Sequence, residues 1–427
     1  MTDEVTAKQP DGGAGRGTLP PGEPPGEGSE GAPARSGARR SGGVVLMQAV
    51  SSLSTVVQLG LFAILLPRAF FDDYSVWITS TMFVVGLGQA IGSERVVIGV
   101  RSRAEGRSSS WALGAAIAAV QAVVGAWLGS WELALCAVAV LAWAVWDYLR
   151  IVEGFDRASW FLKRDVGVLV GQVAATVGAW ALDVPGHLLV LAWWGVGLLA
   201  WTAFVAQDRR PGTGRPLAGL AVVWADRRES APLLLDAALA GVPLVLALAL
   251  ARSQGGVGDA SAARMALTIL GPVTVLGIAG RRIVYSARST GALSPRARLL
   301  FTVAIGAVFA VCFAILALTR TPLYPLLLPG FGGLTWLAVA GFATNHSAVM
   351  AAMLPAADLR ADRRSLEIGA ARLTATLTAL AFVWVFAPFD TVANVAWCVA
   401  VASIAYAVVL TVLAPLRRPR PTPVVAA

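Results

Sequence analysis

The sequence predicts an all-α integral membrane protein: twelve transmembrane helices in two six-helix lobes around a central cavity. Of its 427 residues 57% are hydrophobic and 14% charged, whereas soluble domains carry about 25% charged residues. Mean hydropathy is +0.70. A soluble chain could not bury that much apolar surface, because burial on folding saturates near about three quarters of the chain's area. The apolar residues also fall in successive runs of the length, about 20 residues, that crosses a hydrocarbon core of about 30 Å. With no water in that core, helices that satisfy their own backbone groups are the expected solution.

Residues 1–43 differ in composition from the rest of the chain. They hold 6 Pro and 11 Gly, with six acids and five bases. Such a segment cannot bury enough apolar surface to offset chain entropy, so a disordered cytoplasmic tail is expected. It has no short apolar core with a cleavage site, so it does not read as a signal peptide. The first lobe (44–206) holds spans at 44–66, 75–100, 111–128, 131–149, 166–184 and 187–206. A cytoplasmic linker at 207–230 leads to 231–251, 262–286, 299–318, 332–354, 367–387 and 391–414, the second lobe (231–414). Residues 415–427 form a second tail.

Charge tests this order independently. The formal charge is +9, with 34 Lys and Arg. With the N-terminus inside and the loops alternating, 28 of these bases fall on the cytoplasmic side. Three (Arg68, Arg252, Arg320) fall outside, and three (Arg95, Arg264, Arg372) within spans. That asymmetry is the positive-inside signature and places both termini in the cytoplasm, at the plasma membrane. It also accounts for the basic balance without a nucleic-acid partner. Cys136, Cys312 and Cys398 lie apart in apolar runs and read as packing residues. With only two His, a histidine metal site or a Ser/His/Asp triad is not expected.

The segment 94–102 resembles 281–289: Arg95/Arg282, Val97/Val284, Arg101/Arg288 and Ser102/Ser289 match at one offset. That offset lays helix 2 on helix 8, as two six-helix halves related by an axis along the membrane normal would.

Three stretches carry a family resemblance. They are Gly92-Ser-Glu-Arg95, the charged crossing Asp147-Tyr-Leu-Arg-Ile-Val-Glu-Gly-Phe-Asp-Arg157 with Lys163-Arg-Asp165, and Ala263-Arg-Met-Ala-Leu-Thr-Ile-Leu-Gly-Pro272. With them the chain resembles the multidrug/oligosaccharidyl-lipid/polysaccharide (MOP) exporter superfamily, nearest its O-antigen-flippase-like branch. The resemblance implies a two-lobed, MATE-like fold that moves amphipathic or lipid-linked substrates. The expected substrate is a polyprenyl-diphosphate-linked glycan, and glycosyltransferases or a polymerase of the same pathway are expected partners besides membrane lipids. Cation-coupled members use acidic residues in the second lobe, including its first helix, which is where Asp236 lies.

Such a substrate needs cationic donors facing a wet cavity, and the guanidinium fork suits phosphate. Charged groups inside a membrane are costly and kept for a reason. Arg95, Arg264 and Arg282 are therefore the candidate phosphate ligands, with Asn345 and His346 as a polar pair in helix 10. Arg372, near the start of helix 11, reads as a snorkelling residue. Asp236 and Glu94 are the candidate sites for proton or sodium coupling; no other cofactor is expected. Asp147, Arg150, Asp156 and Arg157 recur at three-to-four residue spacing, which puts opposite charges on one helical face. They read either as a cytoplasmic gate or as a solvated ion-paired helix end. Two rival functions remain. A multidrug exporter would want unpaired carboxylates and few Arg. A polyprenyl-phosphate-sugar glycosyltransferase would carry an acidic pair in its first outer loop, where Asp72 and Asp73 sit.

Overall fold

The computed structural model describes residues 33–93, 96, 102–207, 216–225, 227–273, 295–320, 334–362 and 364–416. The chain divides into Met1–Arg39 and Arg40–Ala427, and the packing described here belongs to the second unit. Among the described residues every regular element is helical: α1 (Pro33–Leu65), α2 (Arg68–Ile91), α3 (Arg103–Trp127), α4 (Trp131–Ala181), α5 (Gly186–Gln207), α6 (Pro216–Ala225), α7 (Arg227–Gln254), α8 (Asp259–Ile269), α9 (Pro295–Thr319), α10 (Trp336–Ala361), α11 (Ser365–Val385) and α12 (Val392–Leu413). Eight helices among the described residues are long and apolar enough to cross a membrane.

The helices start earlier than the apolar runs. α1 begins at Pro33, inside the expected tail, and α2 at Arg68, so Asp72 and Asp73 belong to its first turns and not to an outer loop. α3 begins at Arg103 behind a reciprocal cap, in which the Ser102 hydroxyl accepts the Glu105 N–H and the Glu105 carboxylate accepts the Ser102 N–H. Such a cap satisfies orphan donors wherever the apolar run starts. The expected crossing from helix 4 to helix 5 is a single helix, α4, broken only where Arg157 leaves helical geometry (φ −133°, ψ 30°). The expected linker at 207–230 contains α6 and the first turn of α7. α6 lies on α3, with Gly219 against the Ser108 carbonyl, where a side chain would collide with backbone.

α4 packs on α2, α3 and α5. Separately, α12 packs on α7, α8, α10 and α11, and α9 on α10. α2 reaches from the first set to the second through α7 and α8. Gly241 permits the α2–α7 approach, because a methyl group there would overlap the Phe83 ring. The largest core cluster runs through these contacts and includes Phe62, Phe71, Tyr74, Trp193, Trp194, Phe342 and Phe389. Large apolar side chains face outward instead: Trp127, Leu199, Leu318 and Trp384 are all more than 70% exposed. A surface of that kind needs lipid. This is a multi-pass membrane protein.

Candidate functional site

A cavity of about 400 Å³ opens between α2 and the helices α7, α8, α10, α11 and α12. Most of its wall is apolar, from Met82, Phe83, Leu244, Val349, Met353 and alanines. Its charged members are Arg264, Arg360, Arg372 and Asp236. Among the described residues, three guanidinium groups thus face one carboxylate, a formal positive excess.

Asp236, 5% exposed on α7, is held from three helices. Arg360 Nη2 of α10 donates to Oδ2 at 3.1 Å, and Arg372 Nε of α11 donates to Oδ1 at 2.9 Å. The Tyr406 hydroxyl of α12 donates to Oδ1 at 3.4 Å. The Arg372 guanidinium also lies over the Tyr406 ring, 3.5 Å from its centroid. Burial strengthens these bonds, but the desolvation of three charges offsets much of the gain. Arg264 on α8 is 9% exposed and differently placed. Its Nη2 faces the Met82 thioether, a weak acceptor, and its Nε has no hydrogen-bond partner.

The far end of α2 closes on α7 and α8. Asp72, fully buried, accepts the Gly258 N–H at 3.2 Å, the Ser261 N–H at 2.8 Å and the Ser261 hydroxyl at 2.7 Å. It thereby caps α8 from another helix, where the helix dipole favours a negative charge. Gly258 holds φ 109°, a left-handed conformation that glycine alone adopts without strain. Beside it Asp73 takes Arg252 of α7 at 2.7 Å. Burial raises the Asp259 carboxyl above the usual carboxylate range; the Gly256 N–H opposes this, while Asp72 and Asp390 add to it. The acidic pair a glycosyltransferase would need is thus engaged in a helix cap and an ion pair.

A second polar cluster joins α4 to α1. Arg150 Nη2 pairs with Asp165 Oδ1 at 3.1 Å, and its Nη1 donates to the Ser51 hydroxyl at 2.6 Å. Trp146 Nε1 donates to the same Asp165 oxygen at 2.6 Å. Ser51, Arg150 and Asp165 line a cavity of about 30 Å³. Asp147 lies 3.6 Å from Arg150, and Arg157 pairs with Glu153 at 3.3 Å and lies over Trp160.

Of the expected site residues, the structure brings Asp236 and Arg264 to one cavity. Asn345 and His346 are not among its lining residues: the Asn345 carbonyl accepts the Ser403 hydroxyl at 2.7 Å, and His346 Nδ1 lies 3.0 Å from the Phe342 carbonyl. Glu94, Arg95 and Arg282 lie outside the described residues, as do the whole 281–289 repeat and the side chain of Asp156. The described bonds of Arg150 and Arg157 stay within α4 and α1, where the gate reading asks for ties between lobes. Sequence reasoning missed Arg360, placed in a loop, and Tyr406. It gave Arg372 to the interface, where the structure gives it a buried acid.

The described helices have the fold of the MATE transporters of the MOP superfamily. A MATE in complex with Br-NRF matches over 90% of this chain and 96% of its own (14% identity, TM-score 0.54). A MOP superfamily transporter from Pyrococcus furiosus, described as having a binding pocket of reversed polarity that suggests a different function, matches over 90% and 95% (13% identity, TM-score 0.58). A mutant of the Vibrio cholerae MATE transporter VcmN matches over 89% and 97% (15% identity, TM-score 0.55). At these identities the likeness is one of fold. No family profile matches the sequence, and no curated protein does.

Proposed function

We propose that this protein is a membrane transporter that flips a polyprenyl-diphosphate-linked glycan precursor by alternating access. The observation that carries the reading is the charge of the cavity: among the described residues, three guanidinium groups against one carboxylate, in a largely apolar wall between α2 and the later helices. Apolar cations, the expected cargo of a multidrug exporter, would meet repulsion there, and the one carboxylate is already neutralised. A lipid-linked diphosphate matches both parts, its phosphates at the guanidinium groups and its tail along the apolar wall and the membrane. A solved structure with this fold is described as having a binding pocket of reverse polarity that suggests a different function, which is compatible with a cavity unlike a drug exporter's. In this reading residues 44–206 rock against 231–414 about the 207–230 segment, the cavity opens to the cytoplasm, and the Asp72 cap lies at the outer side.

The test is lipid flipping in reconstituted vesicles with a fluorescent polyprenyl-diphosphate glycan. Each charge-assisted hydrogen bond contributes about 1.5–3 kcal/mol, so Arg264→Ala should weaken binding by about ten- to a hundredfold. Arg264→Lys, which keeps charge without the fork, should fall between. Export of cationic dyes with no lipid movement would replace this reading by the multidrug one.

Orientation is tested separately. The native cysteines are buried, which keeps background labelling low. A cysteine at the exposed Ser253 should react with an impermeant thiol reagent outside intact cells, and one at the exposed Ala104 should not. The opposite pattern reverses the topology.

A further inference from the structure

We propose that Asp236 is a built-in counter-anion: it holds Arg360 and Arg372 in place while the cavity is empty, and a substrate phosphate displaces it. The inference rests on the flippase reading and adds how the site releases what it binds.

Asp236 uses both carboxylate oxygens on this one task, Oδ2 on Arg360 and Oδ1 on Arg372 and Tyr406. Its two guanidinium partners come from different helices, α10 and α11, and both line the cavity. Without an anion between them two partly buried like charges would repel, so a carboxylate supplied by the protein keeps the pair assembled. Asp236 divides one negative charge between two guanidinium groups. A diphosphate brings more charge and more acceptor oxygens, and each guanidinium can take it in bidentate fashion.

Arg264 supplies the starting point for exchange. It faces the same cavity, its Nε has no hydrogen-bond partner, and its Nη2 meets only a thioether. An incoming phosphate binds Arg264 without breaking any ion pair. From there it competes with Asp236 for Arg372 and Arg360. The released carboxylate stays tethered on α7 beside the bound anion, and its negative charge limits the affinity. A carrier needs that limit, because a site that binds too tightly does not release. Asp236 therefore sets both the empty state and the rate of leaving.

The purified full-length protein in detergent is titrated with a sugar-free polyprenyl diphosphate and, in parallel, with inorganic diphosphate. Flipping of the lipid is followed in vesicles. With Asp236→Asn, which removes the competing charge and keeps the shape, binding of both probes should tighten about tenfold while multiple-turnover flipping slows. With Tyr406→Phe, which keeps the ring under Arg372 and drops one hydrogen bond to Asp236, binding should tighten by a smaller factor in a protein that melts like the unmodified one. With Arg372→Ala it should weaken at least tenfold. If Asp236→Asn does not fold, Tyr406→Phe decides: tighter binding supports the exchange, and unchanged or weaker binding overturns it. If the unmodified protein ignores the polyprenyl diphosphate, the flippase reading fails. The inorganic probe then decides alone whether Asp236 competes with anions, tightening in Asp236→Asn keeping the exchange and no change ending it.

Discussion

Asp72→Ala is expected to be the most damaging change at the α2–α8 junction, costing about 3–5 kcal/mol, since each buried donor left unsatisfied costs about 1–3 kcal/mol. The side chain is fully buried and accepts from the Gly258 N–H, the Ser261 N–H and the Ser261 hydroxyl. All three donors lie at the first turn of α8 and would be stranded without water. Asp73→Ala is the control. Its carboxylate also pairs with Arg252, at 2.7 Å, but its side chain is 43% exposed, and exposed pairs contribute about 0–1 kcal/mol. Thermal unfolding in mild detergent should therefore drop by roughly 3–6 °C for Asp72→Ala and hardly at all for Asp73→Ala. Asp72→Asn should lie between, since its amide oxygen still accepts but brings no charge to the helix dipole. A cysteine at the buried Ser75, whose hydroxyl lies 3.4 Å from that of Ser261, should gain reactivity in the Asp72→Ala background. Equal melting of the Asp72 and Asp73 variants would remove Asp72 from its role as the tie between α2 and α8.

Much of the helix order was legible because one physical quantity controls it. Lipid admits only apolar runs of a set length, and those runs stand out from the charged turns beside them. What the runs do not report is where each helix starts. Arg68, Asp72 and Asp73 look like loop residues by hydropathy, yet they continue α2, and Pro67 just before Arg68 was the available signal. Arg103 continues α3 in the same way, and there the Ser102/Glu105 spacing was readable as a cap. The charged stretch 150–164 reads as a crossing because charge usually marks a loop. Within α4 it is helical on both sides of the Arg157 kink, and its charges find partners there: Arg150 meets Asp165 across the kink, and Arg157 meets Glu153.

The site was legible in part for a similar reason. An ionisable residue inside a span is conspicuous, so Arg264 and Asp236 could be named. Their company could not, because Asp236 meets Arg360, Arg372 and Tyr406 across more than a hundred residues of chain. Sequence spacing carries no information about such contacts. Asn345 and His346 show the converse: hydropathy placed them in a helix and left their direction open. α10 shows little apolar asymmetry around its axis, so nothing in the pattern said that Asn345 points to Ser403 of α12. Tyr406, one of five tyrosines, was the overlooked clue, as a phenol deep in an apolar helix needs a polar partner.

The charged face of α4 is where a gate and a structural tie make opposite forecasts. Asp165→Ala is expected to destabilise the protein by about 3–5 kcal/mol, because it leaves the buried Arg150 guanidinium with only the longer Asp147 contact, at 3.6 Å, in place of its closest carboxylate. Trp146 Nε1, now 2.6 Å from Asp165, would lose its acceptor as well. Arg150→Met, which fills the same volume without charge, should cost less, since Trp146 still satisfies one Asp165 oxygen. Combining Arg150→Met with Asp165→Ala removes both charges, and the pair should be less harmful than the two effects added. A coupling of about 1–3 kcal/mol is expected for groups in direct contact. Thermal unfolding of the three variants measures that coupling, and, on the flippase reading proposed above, lipid flipping by the same proteins tests the gate. For a structural tie, the double variant recovers stability and flips lipid at close to the unmodified rate. For a gate, the double variant recovers stability but stays impaired in transport, because the charges themselves do the work there. The 5–6% side-chain exposure of Arg150 and Asp165, with bonds to Ser51 and Trp146 on the same side of the junction, favours the tie. A double variant that is stable and unable to flip would restore the gate.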